Sequence, residues 1–175
     1  MITPAHSIFQ ILVVEGFCKS IEDMPRNPAE RDPNVWYAVS CLKMPDFEGC
    51  PNNLIGVLDM DYVQAERSNY IADGIPLDQA NVKICVRTTE YADGLAKIHH
   101  IARTLDTLKN YVVSIPNAPF GDIDPFDKLS KNNSPRYAEV RTVLTCTRLE
   151  TIRDRGEDAT MRRFLFDVTY TVRFA

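Results

Sequence analysis

Glycine is scarce in this sequence, and the glycine-rich motifs that bind phosphate groups are missing. The chain has seven glycines among 175 residues and contains no GxGxxG, GxxxxGK[ST] or GxSxG pattern. The first two patterns place backbone N–H groups around phosphates, and the third positions a serine nucleophile. Nucleotide binding through those motifs is therefore not expected, and the sequence shows no other catalytic motif.

Basic clusters and long hydrophobic runs are also missing. The net charge is −4, from 24 acidic and 20 basic residues, and the densest basic group, at 153–163, is interleaved with acids. Dedicated nucleic-acid binders usually show a basic excess or stripe. Apolar runs such as 11–14 are far shorter than the roughly 20 residues of a membrane-spanning helix. The sequence therefore argues against a dedicated nucleic-acid binder and predicts no membrane contact and no signal peptide.

The cysteines form neither a metal-binding pattern nor a disulfide framework. Their number is odd, their spacing is irregular and no CxxC occurs. They are Cys18, Cys41, Cys50, Cys85 and Cys146. Three of them lie in strand-like runs, where cysteine serves as a small hydrophobe. We therefore expect reduced thiols. Cys50 is the only one in a predicted loop, and no partner histidine for a nucleophile can be assigned from sequence.

Histidines and acids offer no convergent metal site. His99 and His100 are adjacent on a predicted helix, so their side chains point about 100° apart and do not meet at one ion. Asp59 and Asp61 share one face of a predicted strand but lack the spacing of an EF-hand, so we expect them to face water. The same expectation holds for the loop acids Asp122, Asp124 and Asp127. No metal, cofactor or catalytic residue is predicted.

The clearest pattern is a strand that leads directly into an amphipathic helix. Apolar and polar residues alternate over 81–89, which predicts a half-buried strand. Apolar residues then recur at spacings of four and three, which predicts a helix of about five turns. Its apolar face contains Tyr91, Leu95, Ile98, Ala102, Leu105 and Leu108. Its other face, predicted to be solvated, contains Asp93, Lys97, His100, Arg103, Asp106 and Lys109. Such a helix needs a sheet to cover its apolar side.

The remaining patterns supply that sheet and one more helix. Thr3 and Pro4 form a helix start, an N-cap hydroxyl followed by proline, and the helix is predicted to end near Lys19. Strands are predicted over 35–44, 54–63, 111–115, 137–150 and 161–174, and loops over 20–34, 45–53, 64–80, 116–136 and 151–160. This order predicts one α+β domain over 1–175, a mostly antiparallel β-sheet with two α-helices packed on one face.

The segment NVKICVRTTEYADGLAKIHHIARTLDTL resembles the diagnostic region of the phage minor capsid and tail terminator family. Members commonly have a strand with an arginine near its end, a short break, and a long helix that ends in a leucine-rich turn. Arg87 and Tyr91 stand at the corresponding places here. The closing RRFLFDVTYTVRF resembles the hairpin strand that ends these proteins. GIPLDQ stands where many members have a glycine-rich segment, and the loop 116–136 is longer than the family pattern.

The resemblance implies a structural protein without catalysis, which forms a ring, usually a hexamer, on the end of a completed phage tail tube. Its partners would be its own copies, the tail tube protein and neck or head-completion proteins, with DNA only passing through the lumen. It would be made in the host cytoplasm and reside in the virion at the head–tail joint. The alternatives are another neck or head-completion protein or, from a different class, a small cytosolic ligand-binding or enzymatic α+β domain.

Two loops are suited to the partner contacts that this role requires. The segment PDFEGCPNN at 45–53 has turn chemistry, and 116–136 is long for a compact domain and carries several apolar residues. Extended loops with exposed apolar groups suit partner docking. The predicted contact residues are Asp46, Phe47, Glu48, Phe120, Asp122, Asp124 and Phe126.

Overall fold

The computed structural model describes residues 3–60, 79–119, 137–158 and 162–174. Within these ranges the chain forms two α-helices, α1 (Pro4–Val14) and α2 (Tyr91–Thr107), and two short 3₁₀ helices, Ile21–Asp23 and Pro28–Glu30. The strands in the same ranges are β1 (Lys19–Ser20), β2 (Tyr37–Cys41), β3 (Leu54–Asp59), β4 (Gln79–Thr88), β5 (Tyr111–Pro119), β6 (Tyr137–Arg148), β7 (Arg153–Asp158) and β8 (Arg163–Phe174). No helix among these residues is long and apolar enough to cross a membrane.

All of these strands belong to one sheet: seven stand in the order β1-β2-β3-β4-β8-β6-β5, and β7 pairs with β8 outside this order. The pairs β1–β2 and β2–β3 are parallel, and the other neighbouring pairs are antiparallel. The long pair at the centre, β4–β8, runs from Gln79 opposite Arg173 to Thr88 opposite Phe164. The predicted α+β class with a mostly antiparallel sheet is confirmed.

Both helices pack on the same face of this sheet. The predicted start of α1 is confirmed, because the Thr3 hydroxyl accepts a hydrogen bond from the His6 N–H at 3.2 Å and Pro4 follows it. The apolar stripe of α2 is confirmed for Ile98, Ala102, Leu105 and Leu108, which are buried, whereas Tyr91 at its start is 43% exposed. The strand residues in the same core include Ile55, Val57, Val82, Ile84, Val86, Leu144, Phe166, Val168, Tyr170 and Val172. The period-two pattern of β4 and β8 therefore directs one set of side chains towards the helices.

Connecting segments cover part of the opposite face. Tyr37, Cys50 and Leu54 form a second buried cluster, and Met44 packs against it. Ala38, the neighbour of Tyr37, is buried in the helix-side core instead. β2 is therefore covered on both faces. This second cluster also fixes the connection between β2 and β3 against the sheet.

The charged segment 151–160 was predicted to be a loop, and this prediction is wrong for residues Arg153–Asp158. They form β7, which pairs antiparallel with β8 beside β6. Gly156 takes φ +81° at an irregularity in this pairing. All six residues are exposed, but the Arg155 Nε donates to the buried Asp167 carboxylate at 2.6 Å. Pairing with β8 therefore orders a segment that has no apolar periodicity of its own.

The strand predicted over 35–44 is shorter in the structure, Tyr37–Cys41, and three segments predicted to lie outside strands pair with the sheet instead. The first helix ends at Val14, not near Lys19, and Lys19 and Ser20 pair with β2 instead. β5 continues through a bulge to Pro119, although 116–136 was predicted to be a loop. β4 begins at Gln79, within the segment predicted to connect two strands. In each case a neighbouring strand offers backbone partners that local sequence does not reveal.

Several polar side chains predicted to be solvated have structural partners, and Asp59 and Lys97 are two of them. The Asp59 carboxylate accepts a hydrogen bond from the Ala5 N–H at 2.9 Å, so β3 caps the first turn of α1. The Lys97 ammonium donates to the Phe17 carbonyl at 2.9 Å and lies 5.1 Å from the centre of the Trp36 ring. Burial lowers the pKa of Lys97. The Asp59 contact therefore joins α1 to β3, and the Lys97 contacts join α2 to Phe17 and Trp36.

Candidate functional site

The structure describes only the first of the two predicted contact loops. Asp46, Phe47 and Glu48 lie on the connection between β2 and β3, and all three are exposed. The other predicted contact residues, Phe120, Asp122, Asp124 and Phe126, lie outside the described residues, so their role stays a prediction. We refer to residues 45–50 as the Phe47 loop.

A tight turn forms the tip of the Phe47 loop. The Cys50 N–H donates to the Phe47 carbonyl at 2.9 Å, and Gly49 takes φ +80°. A glycine with positive φ at the third position of a four-residue turn is the signature of a type II turn. The turn chemistry predicted from PDFEGCPNN is thus confirmed. The turn places Phe47 and Glu48 on the outside, where Phe47 is 50% exposed.

Arg87 on β4 closes the base of the Phe47 loop. Its Nη1 donates to the Pro45 carbonyl at 2.8 Å, and its Nη2 contacts the Cys50 Sγ at 2.9 Å. One guanidinium therefore holds both ends of the loop. Since Arg87 lies on a strand of the central sheet, this contact transfers the rigidity of the sheet to the loop.

Two further contacts hold the loop from its sides. Arg31 Nη1 donates to the Gly49 carbonyl, while its Nε donates to the Pro25 carbonyl at 2.8 Å. After the loop, the Asn53 amide oxygen accepts from the Thr88 hydroxyl at 2.7 Å, beside the start of β3. The Phe47 loop is thus supported by the segment before β2, by β4 and by the residues that lead into β3.

The carboxylate of Asp46 lies near two arginine side chains beside this loop without forming close hydrogen bonds to either one. Asp46 Oδ1 lies 3.9 Å from Arg87 Nη1 and 3.5 Å from Arg163 Nη1, both beyond ordinary hydrogen-bond length. The Asp46 side chain is 59% exposed, whereas those of Arg87 and Arg163 are only 10% and 16% exposed. The buried Arg87 Nε has no hydrogen-bond partner in the part of the chain that the structure describes.

An apolar ring on a firmly held turn is suited to protein contact. Aromatic side chains supply large contact areas at protein interfaces, and a preorganised loop loses little conformational entropy on binding. The loop therefore presents Phe47 and Glu48 as a fixed pair, while Asp46 faces back towards the arginines. Sequence reasoning placed Arg87 on a strand and missed its contact with the loop. The available signal was an arginine on the face of β4 that also carries Cys85.

The two adjacent histidines lie on the helix surface, as predicted. His99 and His100 are both exposed on α2. The described residues contain no group of three or more His, Cys, Asp or Glu side chains that could hold a metal ion. All five cysteines are free. Burial raises the pKa of three of the thiols to about 12, which keeps them protonated and unreactive: Cys18, Cys85 and Cys146.

Comparison with known proteins finds no match to this chain, either among protein-family models or among curated proteins.

Proposed function

We propose that this protein is a structural assembly protein of a phage virion, which caps the end of the tail tube as a ring of identical subunits. In this role it stops growth of the tube and offers a surface for head–tail joining. The mechanism requires binding surfaces rather than a reaction. One face of the ring contacts the last ring of the tube, and the other face contacts the neck.

This proposal starts from the resemblance of the strand and helix around Arg87 and Tyr91 to the phage minor capsid and tail terminator family. That segment folds as β4 followed by α2, and the closing segment folds as β8 beside β4. The order of elements is therefore compatible with the family pattern.

The Phe47 loop is the observation that carries the proposal. Three backbone carbonyls of this connection, those of Pro45, Phe47 and Gly49, accept hydrogen bonds from Arg87, Cys50 and Arg31. Phe47 nevertheless leaves half of its surface exposed. A fixed and exposed aromatic residue is what a protein-contact site needs, because such anchors dominate binding energy at interfaces.

Open strand edges are also compatible with assembly. Within the described residues, β5 pairs only with β6, and the pairing of β6 with β8 begins at Leu144. The backbone of 137–143 therefore pairs with β5 alone in this part of the structure. Unpaired edges of this kind can accept a strand from a neighbouring chain.

Deletion of the gene from its phage tests the proposal. Negative-stain electron microscopy of the lysate should show tails of uncontrolled length that are detached from filled heads. Tails of normal length beside heads that cannot join them would instead identify a neck or head-completion protein. Intact and infectious particles would refute both structural roles and favour a ligand-binding or enzymatic domain.

Complementation with point variants tests the Phe47 loop separately. Phe47→Ser should fail to restore normal tails while its melting temperature stays close to that of the unmodified protein, because the ring is already exposed. Leu149→Ser is the matched control, since Leu149 is 52% exposed and Phe47 is 50% exposed. The control should restore normal tails. Equal behaviour of the two variants would rule out Phe47 as a contact.

A further inference from the structure

Two nearly buried guanidinium groups lie beneath the Phe47 loop, and a single carboxylate faces both of them. Asp46 Oδ1 is 3.9 Å from Arg87 Nη1 and 3.5 Å from Arg163 Nη1. Hydrogen bonds between guanidinium and carboxylate groups are about 2.7–2.9 Å long. Asp46 therefore attracts both arginines without satisfying the donors of either one. Its side chain is also 59% exposed, so water weakens this attraction.

Other contacts of Arg87 are with neutral groups. Arg87 Nη1 donates to the Pro45 carbonyl and its Nη2 contacts the Cys50 thiol, while its Nε is buried without a partner in the described residues. Arg31 adds a third positive charge beside the loop, and its contacts are all carbonyl groups. A buried charge is costly unless an opposite charge and hydrogen bonds compensate it. The site therefore carries positive charge that one distant carboxylate does not balance.

We infer that Arg87 and Arg163 form an oxyanion site, and that it accepts a carboxylate from an acidic segment of a partner chain in place of Asp46. A guanidinium group presents its donors as a planar fork that matches a carboxylate. Asp46 is on an exposed turn, so its side chain can rotate into solvent when the incoming group arrives. In the free protein the Asp46 carboxylate occupies the site weakly. In the complex a carboxylate of the partner chain binds there more strongly.

A protein carboxylate fits this surface better than a nucleic-acid phosphate. Phe47 lies next to Asp46 in the chain and offers an apolar contact that a phosphate backbone cannot use. That the partner is a virion protein rests on the proposed function, whereas the oxyanion site itself does not.

The purified protein and its Asp46→Asn variant test the site through thermal unfolding. Asp46→Asn should melt at a lower temperature, because the two arginines lose the carboxylate that faces both of them. Sodium phosphate or a hexaglutamate peptide should raise the melting temperature of this variant by about 2–4 °C, compared with sodium chloride of equal ionic strength. Adding Arg163→Gln to Asp46→Asn should abolish the rise. Arg153→Gln is the matched control, because Arg153 pairs with exposed Glu150, and it should leave the rise unchanged.

Several outcomes would overturn the inference. Equal rises with and without Arg163 would show a general salt effect, and no rise in Asp46→Asn would show that the site takes no anion. A larger rise with an oligonucleotide than with hexaglutamate would assign the site to nucleic acid. If Asp46→Asn does not fold, the same comparison between the unmodified protein and Arg163→Gln decides. These measurements use the free subunit, so their failure leaves the tail phenotype of the gene deletion as a separate test of the proposed function.

Discussion

α2 packs tightly against the sheet at Gly94, and replacement of this glycine by alanine tests the packing of the core. A Cβ atom at this position would lie 2.6 Å from Phe166 Cε2 and 2.6 Å from Thr88 Cγ2. Both neighbours are fully buried, and the edge of the Phe166 ring is also held by Tyr91, whose ring centre is 5.4 Å away. A shift of either neighbour would therefore displace other buried side chains.

Two opposing effects decide whether Gly94→Ala raises or lowers the free energy of unfolding. Alanine is favoured over glycine inside a helix by about 1 kcal/mol. Forcing an extra carbon into a packed core costs about 1–3 kcal/mol, and here the added atom would overlap two side chains at once. The packing cost should therefore exceed the helix gain, and we expect a net loss of about 1–2 kcal/mol in the free energy of unfolding.

Urea unfolding followed by circular dichroism measures this change, and two controls separate the effects. Ala96→Gly, on the exposed side of the same helix, should lose about 1 kcal/mol from helix propensity alone. Gly56→Ala places its Cβ 2.0 Å from the Met44 sulfur, but this side chain is flexible and can turn aside, so the loss should be smaller than for Gly94→Ala. A Gly94→Ala protein as stable as the unmodified one would refute the close packing.

Three further predictions concern the buried polar groups of the fold. The free energy of unfolding should be unaffected by the thiols below pH 9 and should fall as the pH rises from 9 towards 12, because the folded state holds thiol pKa values near 12 against an ordinary value of 9. The loss should be about 1.4 kcal/mol per pH unit for each thiol. Urea unfolding with a reductant present measures it. The thiols concerned are Cys18, Cys85 and Cys146. Asp59→Ala should lower the free energy of unfolding by about 0.5–2 kcal/mol, since α1 loses a cap from β3. Arg155→Ala should cost about 1–2 kcal/mol because it leaves the buried Asp167 carboxylate without its cation, whereas Arg153→Ala, with an exposed partner, should cost less than about 0.5 kcal/mol.

Each of these predictions has an outcome that contradicts it. A free energy of unfolding that does not change between pH 9 and 10 would show that the thiols ionise in the folded protein. Unchanged unfolding of Asp59→Ala would mean that the first turn of α1 finds another acceptor. Equal costs for Arg155→Ala and Arg153→Ala would show that burial of Asp167 adds nothing to its ion pair.

Elements with a regular repeat could be predicted from the sequence because their pattern is local. The alternation over 81–89 and over 161–174 led to β4 and β8, and the 3.6-residue repeat after Tyr91 led to α2. The start of α1 was equally readable, since the cap at Thr3 and Pro4 involves residues within one turn. In all of these the geometry of a few neighbouring residues decides which side chains share a face.

Elements that depend on distant partners could not be predicted in this way. β7 has only exposed and mostly charged residues, and it forms because β8 offers a backbone edge to pair with and Asp167 binds Arg155. The extension of β5 to Pro119 follows from its ladder with β6. Local propensity carries no information about such edges, because the hydrogen-bond partners belong to other strands.

The candidate site shows the same division between local and distant information. The sequence PDFEGCPNN by itself determined a turn with Gly49 at the position of positive φ, and hence the exposure of Phe47. Only the tertiary structure brought Arg31, Arg87 and Arg163 beneath that turn. They come from a loop, from β4 and from β8, and their side chains meet because the register of the central pair and the crossover from β2 to β3 bring these segments together. The position of a long charged side chain depends on which carbonyl and carboxylate oxygens the folded chain leaves within its reach, and that is a property of the whole sheet.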